Sequence, residues 1–296
     1  LTALDHWVGV CLIPLAIWVV ISGLDDLLPD LAWLCCRFHR FPWPGEEELA
    51  RAPRKSIAIF VPLWREHAVI GNMLRHNVAA IRYEDYDFFV GAYPNDSRTI
   101  NAVREAQERF PNVHLALCPH DGPTTKADCL NWIYQRMLLY EEEHGLRFDI
   151  VVTHDAEDVV HPDSLRWINY FTPAFEMVQI PVLPLPTPPL ELTHGLYCDE
   201  FAEYHSKDVP IRRILGGFVP SCGVGTGFTR EVLDALASDR ANRIFEPACL
   251  TEDYENGLRI HELGRRQLFL PVRAWKADFL ATREYFPRRF RAAVRQ

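Results

Sequence analysis

A chain of 296 residues with 48% hydrophobic content is long enough to bury one large α/β core or two small ones. Its formal net charge of -9, from 40 acidic against 31 basic residues, argues against nucleic acid as a partner, which needs a concentrated basic face. None of the eight cysteines forms a Cys-x-x-Cys pair, which excludes a zinc ribbon or thioredoxin-type site and leaves reduced thiols in a cytosolic domain.

Leu1 and Gln296 both read as cut ends, so the sequence is expected to be an excerpt of a longer protein. Trp7 to Leu24 is apolar or small and uncharged, broken only by Pro14, Ser22 and Gly23. At about 18 residues it meets the lower limit for a bilayer-spanning helix. Asp25 and Asp26 are expected to end it, with Leu27 to Phe38 lying at the interface as an amphipathic segment. A buried core helix or a signal-peptide core has similar composition. Here, however, the basic residues Arg37, Arg40, Arg51, Arg54 and Lys55 come after the apolar run. That asymmetry places the chain beyond the apolar run in the cytosol. Residues 1–40 are therefore expected to be a membrane anchor and 41–54, rich in Pro and Glu, a linker.

From residue 55 the hydrophobic period alternates between strand and helix. Ser56–Val61, Tyr86–Ala92, Val113–Leu117 and Phe148–Thr153 read as strands. Glu66–Ala80, Thr99–Phe110 and Lys126–Glu143 read as helices, and the Pro-rich Ile180–Leu190 as an extended strand and loop. This alternation predicts an α/β fold with a mostly parallel, doubly wound sheet, whose ligands bind beyond the carboxyl ends of the strands.

The polar residues at those ends carry the chemistry. Asp155, Glu157 and Asp158 are three carboxylates within four residues at the end of an apolar strand. They repel one another unless a cation is present, and oxygen-only ligation suits Mg2+ or Mn2+ bridging to a diphosphate. An acidic turn or a helix cap is the plainer alternative. Thr251-Glu252-Asp253-Tyr254-Glu255 opens a helix running to Leu263, and reads either as a cap or as the source of a general base, Asp253. Glu66 comes soon after the first strand, and Asn95-Asp96 after the second, each in positions where turns also favour such residues. Lys126 opens the long helix after Gly122-Pro123-Thr124-Thr125, where a diphosphate would be favoured, although the glycine that a P-loop requires before its lysine is missing. The glycine-rich Ser221–Phe228 segment allows close backbone approach to a ligand. Cys222 has no nearby His to activate it as a nucleophile.

Together these segments resemble glycosyltransferase family 2 over most of residues 55–296. Pro62 and Glu66 match the family's first strand end, Asp96 or Asn95 the second, and Lys126 to Asn131 the long helix. Asp155-Ala156-Glu157 stands in for Asp-x-Asp, Cys222-Gly223 for the acceptor-side segment, and Thr251-Glu252-Asp253 for the Thr-Glu-Asp triplet. Glu284, Pro287 and Gln296 resemble the approach to a Gln-x-x-Arg-Trp motif of which only the first residue is present, and a fragment lacking its Arg and Trp is expected to transfer sugar poorly. The resemblance implies a GT-A fold, a Rossmann-like mixed sheet, mostly parallel and flanked by helices, behind an N-terminal transmembrane helix. It implies an inverting transferase of the bacterial inner membrane with a cytoplasmic catalytic domain, acting in envelope or exopolysaccharide synthesis. The implied partners are a nucleotide-sugar donor, in the first instance a UDP-sugar, a saccharide or other hydroxyl acceptor, and an envelope or outer-membrane protein. Pro62, Glu66, Asp96, Lys126, Asp155 and Glu157 would bind the donor, with Asp96 accepting from the uracil imide. Asp155, Glu157 and Asp158 would hold Mg2+ or Mn2+. Asp253 would be the base, and Cys222, Gly223 and Glu252 would shape the acceptor side. Two other readings remain: a metal-dependent phosphohydrolase built on His154, Asp155, Asp158 and His161, and a nucleotide-binding scaffold without turnover.

Overall fold

The computed structural model describes residues 2–36, 41–172, 174–188, 190–238, 240–276 and 278–294. The chain divides into two compact units, Leu1–Pro42 and Trp43–Gln296. The first is helix α1, Thr2–Cys36. Within its segment Asp5–Cys36 an 18-residue window reaches a mean hydropathy of 2.3 with exposed side chains, and the helix is long and apolar enough to cross a membrane. The expected break at Asp25-Asp26 is absent. Two carboxylates do not remove any backbone hydrogen bond, and Leu27, Leu28, Leu31 and Leu34 continue the apolar surface beyond them. Pro14 and Pro29 lie within the helix. Arg37, Arg40 and Phe38 fall outside the described residues.

The second unit begins earlier than the sequence suggests. Trp43 meets the Trp167 ring edge-on at 5.1 Å, and helix α2 (Glu46–Arg51) joins the domain through Glu46, which pairs with Arg166 at 2.8 Å. Asn169 also donates to the Pro53 carbonyl at 3.1 Å. Most of the expected linker is thus the domain's first packed segment, anchored by aromatic burial that its Pro and Glu content concealed.

Alternating units come next: β1 (Ile57–Pro62), α3 (Ile70–Ala80), β2 (Tyr86–Ala92), α4 (Ser97–Gln107), β3 (Val113–Leu117), α5 (Lys126–His144), β4 (Ile150–Thr153) and α6 (Ser164–Phe171). They lead into β5 (Met177–Gln179), β6 (Val182–Pro184), α7 (Leu192–Glu203), α8 (Val209–Ile214), β7 (Thr226–Thr229) and α9 (Arg230–Ser238). Toward the C-terminus lie α10 (Glu252–Glu262), β8 (Gln267–Phe269), β9 (Ala274–Trp275), β10 (Asp278–Phe279) and β11 (Thr282–Glu284). The main sheet runs β3-β2-β1-β4-β7-β5-β8. Only β7 is antiparallel to its neighbours, and that reversal matters for function. Because Thr153 of β4 faces Thr226 of β7, the chain entering β7 lies at the edge where β1, β2 and β4 end. The apolar run of β1 is buried from Ile57 to Val61, as a central parallel strand must be. The core includes Phe60, Phe89, Ile133, Met137 and Phe148, packing α5 against β1 and β2.

Asp163, just before α6, is fully buried and draws remote chain together. It accepts from Lys276 Nζ at 3.0 Å, Trp275 Nε1 at 2.9 Å, Arg166 Nη1 at 3.1 Å and Arg82 Nη1 at 3.3 Å. Burial alone would raise its proton affinity, but the bonds from Lys276, Trp275 and Arg166 outweigh it and hold the carboxyl below its usual range. A lowered native pKa contributes stability at every pH above the unfolded value, and that contribution fades as pH falls through the native one. Asp163→Ala should therefore lower unfolding free energy by about 1–3 kcal/mol near neutrality, because the Trp275 N–H and the largely covered Arg166 guanidinium lose this acceptor while Arg82 and Lys276 remain half exposed to water. Thermal unfolding across pH should show the deficit shrinking in strong acid; a deficit independent of pH would contradict the electrostatic account.

Candidate active site

The carboxyl ends of β1, β2 and β4 open into a cavity of ≈ 370 Å³. One end is aromatic. Trp64 meets Tyr93 edge-on at 5.5 Å, and the Tyr93 hydroxyl bonds Thr124 Oγ1 at 2.6 Å. Asn95 pins the Gly122 loop from both sides, donating to its carbonyl at 2.6 Å and accepting from its N–H at 2.9 Å. Thr125 then caps α5 by accepting from Asp128 N at 3.2 Å. This fixes Lys126 as the first residue of α5, beside the cavity.

The other end is charged. Glu66, Lys126, Asp155 and Glu157 line it together with Pro62. Lys126 Nζ pairs with Asp155 Oδ1 at 2.5 Å. Burial opposes the ammonium, but Asp155, then Glu252 and Asp253, more than compensate and raise its proton affinity. Glu66 is pushed up by burial, then by Asp155 and Asp96; Glu157 by burial, then by Asp155, Asp158 and, more weakly, Glu66. These mutual influences place Glu66, Asp155 and Glu157 in one electrostatic neighbourhood.

Two expected site residues have other work. The Asp158 side chain is buried and does not line the cavity. Its Oδ2 bonds His154 Nδ1 at 2.8 Å and accepts from the Asp155 N–H at 3.0 Å, leaving Oδ1 without a partner. Asp158 therefore frames the Asp155 turn as a positioning residue and is not the cation ligand that the sequence suggests. Asp96 is also buried away from the cavity lining. It caps α4 through Thr99 N at 3.4 Å and accepts from Arg65 N at 2.6 Å, tying together the loops after β1 and β2. The phosphohydrolase set does not assemble. His154 is buried against Asp158, whereas His161 Nδ1 accepts from the Asp163 N–H at 3.1 Å.

Among the described residues no group of three His, Cys, Asp or Glu is arranged to hold a metal. The donor set nevertheless fits a hard divalent ion of the Mg2+ or Mn2+ kind. Asp155 and Glu157 present carboxylate oxygens to one cavity, and such ions are held by one or two carboxylates with substrate phosphates completing the shell.

Buried Gln179 organises the turn into β7. Its Oε1 accepts from Cys222 N at 2.9 Å and Thr226 Oγ1 at 2.6 Å, and its Nε2 donates to the Val224 carbonyl at 2.8 Å. Gly223 adopts φ +75°, where a side chain is strained. A Cβ there would lie 2.7 Å from Asp253 Oδ2 and 3.5 Å from Lys126 Nζ. The Cys-Gly turn, the triplet and the helix-opening lysine therefore meet. One turn further along α10, a Cβ on Gly257 would lie 2.8 Å from Ser221 N, so the missing side chain lets α10 seat against this segment. Glu252 is buried beneath, its carboxyl raised by burial and Asp253 and lowered by Lys126. Cys222 is held up to about 12 by burial, with Asp253 and Glu284 adding to it, so it remains a thiol. Asp253, Cys222 and Glu284 line a second cavity of ≈ 590 Å³. Burial, with Asp158, Asp155 and Glu157 beside it, pushes Glu284 up to about 8.

Residues 53–296 match the family model described as glycosyltransferase like family 2. The chain belongs to this family. It is 40% identical to bacteriophage adsorption protein B of Escherichia coli (strain K12) and to bacteriophage N4 adsorption protein B of Escherichia coli O157:H7. Each alignment runs over 307 residues and covers 96% of this chain, which spans only 41% of either relative. Among solved structures it is similar to the mannosyltransferase PcManGT from Pyrobaculum calidifontis in complex with GDP-Man and Mn2+. That match has a TM-score of 0.62 and 20% identity, covering 95% of this chain and 71% of that one. It is also similar to S. aureus TarS 1-349 in complex with UDP-GlcNAc, with a TM-score of 0.51 and 12% identity, covering 78% of this chain and 59% of that one. At such identities the likeness shows the fold, and that fold is GT-A.

The family's motif residues do not all touch the cavities of this family member, and several residues that do were not legible. Trp64 and Tyr93 sit beside family motifs but carry no signal of their own. Gln179 is an isolated polar residue in an apolar strand, which is a recognisable anomaly. If Gly223 sets the distance between Asp253 and Lys126, Gly223→Ala should reduce turnover by about 10²-fold through misplacement of roughly 1 Å. Nucleotide affinity should change far less. Equal losses in steady-state turnover and in nucleotide titration would contradict that role.

Proposed function

We propose that this chain is the catalytic part of a membrane-anchored, inverting glycosyltransferase that moves a sugar from a nucleotide-sugar, a UDP-sugar in the first instance, to a saccharide hydroxyl. The observation that carries the reading is the seam between two cavities. Lys126 and Asp155 stand on the donor side, Gly223 crosses between, and Asp253 faces the acceptor side.

The nucleobase would pack in the Trp64–Tyr93 end, with Asp96 holding the two loops that shape it. The diphosphate would lie at the start of α5, where Lys126 and the helix N-terminus favour negative charge. Asp155 and Glu157 would hold Mg2+ or Mn2+, which stabilises charge on the leaving diphosphate. Asp253 would accept the acceptor hydroxyl's proton as that oxygen attacks the anomeric carbon. Direct attack by the acceptor oxygen, with Asp253 taking its proton and the nucleoside diphosphate leaving in the same displacement, would invert the anomeric carbon. Glu252 and the Cys222-Gly223 backbone would position the acceptor end. The exposed apolar α1 supports an anchor, and Arg51, Arg54 and Lys55 after it support a cytoplasmic domain at a bacterial inner membrane. Protease digestion of the domain in sealed right-side-out vesicles would contradict that orientation. Envelope or exopolysaccharide synthesis is the setting we propose. The names of the 40%-identical relatives support a second reading, donor binding within a phage-adsorption assembly without turnover.

Asp253→Asn should lower nucleoside diphosphate release with acceptor present by about 10²–10⁴-fold, the usual contribution of a general base. Donor affinity by calorimetry should stay within a few-fold. An active Asp253→Asn variant would overturn the base assignment, and full-length wild-type protein that binds donor but never releases nucleotide would favour the scaffold reading. Chelation should abolish both tight donor binding and transfer, and Mg2+ or Mn2+ should restore them. Undiminished transfer in excess chelator would remove the cation from the mechanism.

A further inference from the structure

The cavity against Asp253 is unlike the donor cavity in charge, and the difference bears on what it admits. Resting on the transferase reading above, we propose that the acceptor is a glycan without anionic groups, an uncharged or amine-bearing saccharide, selected by charge. Four carboxylates line this cavity, Glu200, Glu203, Asp208 and Asp253, together with Glu284, which is pushed up to about 8 and is a neutral acid near pH 7. Among the described residues lining it there is no Lys or Arg. Lys207 and Arg212 each contact a lining residue. Lys207 Nζ lies 2.5 Å from Glu203 Oε1 and 3.8 Å from Asp208 Oδ1. Arg212 donates to the Tyr254 hydroxyl at 3.3 Å and stands over the Phe218 ring at 5.3 Å. On the donor side, by contrast, Lys126 stands among the carboxylates that would hold the cation.

The remaining lining suits a sugar. Tyr204, Tyr254 and Phe286 offer ring surface to the apolar faces of pyranoses, and Phe286 is braced by Tyr197 stacked at 4.7 Å. Carboxylates accept from neutral hydroxyls and attract an ammonium. A phosphate or uronate would face the carboxylates of Glu200 and Asp253, with hydroxyls such as those of Tyr204 and Tyr254 as its hydrogen-bond donors and no cation in the lining. The same negative field is felt by the Cys222 thiol, which Asp253 and Glu284 help keep protonated.

The test uses the full chain in detergent or nanodiscs with one nucleotide-sugar donor. A neutral oligosaccharide is compared with the same backbone carrying a terminal uronate or phosphate monoester. At low salt the anionic acceptor should show kcat/KM lower by roughly tenfold or more, and added salt should narrow the gap. Exposed Glu200 allows a charge reversal that leaves the core alone, and Glu200→Lys should narrow the gap within that variant. An anionic acceptor used as well as the neutral one would overturn the proposal, as would a gap unmoved by both salt and Glu200→Lys. Transfer to neither acceptor would instead overturn the transferase reading itself, and this inference with it.

Discussion

The site is organised by a charge imbalance. Asp155, Glu157, Glu66, Glu252 and Asp253 influence one another's protonation or that of Lys126, and the 2.5 Å contact between Lys126 and Asp155 is the direct ion pair among them. One ammonium does not neutralise five carboxylates. Burial is the first cause of the raised proton affinities of Glu66, Glu157 and Glu252, and the neighbouring carboxylates add to it. A divalent ion with a diphosphate answers it in a way that water alone does not, because the ion supplies two charges while the phosphates complete its shell. Relief of that repulsion is what would favour a donor diphosphate with its cation at this edge of the sheet.

Holding such a set together requires a scaffold indifferent to its repulsion. The sheet provides one through topology. Three parallel strands deliver Glu66, the Tyr93 loop and Asp155 to a common edge, and the reversal of β7 brings Gly223 to the same edge from the opposite direction. The joints are backbone hydrogen bonds to buried side chains. Gln179 fixes the turn before β7, Asp158 the turn after β4, and Asp96 the loop after β1. Each such bond is worth more inside the domain than in water, since its loss would leave a buried N–H or carboxylate unpaired.

Much of the fold was legible because its strands are buried on both faces. The apolar runs Ser56–Val61 and Phe148–Thr153 read as strands, and β1 and β4 lie within one or two residues of them, while β2 and β3 fall at the expected residues. Helix starts were less accurate where tertiary bonds decide them. The expected start at Glu66 moved to Ile70 because Arg65 and its neighbours form a loop held by Asp96. The packed segment after Pro42 was hidden because Trp43 matters only once Trp167 is near. Likewise the motif order pointed to the right family, yet no spacing rule in the sequence relates Asp253 to Lys126, which are far apart in the chain and meet across Gly223.

The separation of roles among carboxylates depends on burial more than on motif position. Asp155, Glu157 and Glu66 line an open cavity, so their oxygens can exchange water for a cation or substrate. Asp96, Asp158 and Asp163 are buried, and their oxygens accept backbone or side-chain hydrogen bonds that set where neighbouring loops lie. A buried carboxylate of this kind contributes through the geometry it imposes, and converting it to a ligand would first require breaking those bonds. In the Asp155–Asp158 stretch both kinds occur within four residues. The framing aspartate binds the N–H of the one that faces the cavity, so the exposed oxygen's position is set by its buried neighbour. That coupling explains why three adjacent acidic residues act as one turn with two outward-facing donors, and why the acidic run alone, without its fold, would not distinguish them.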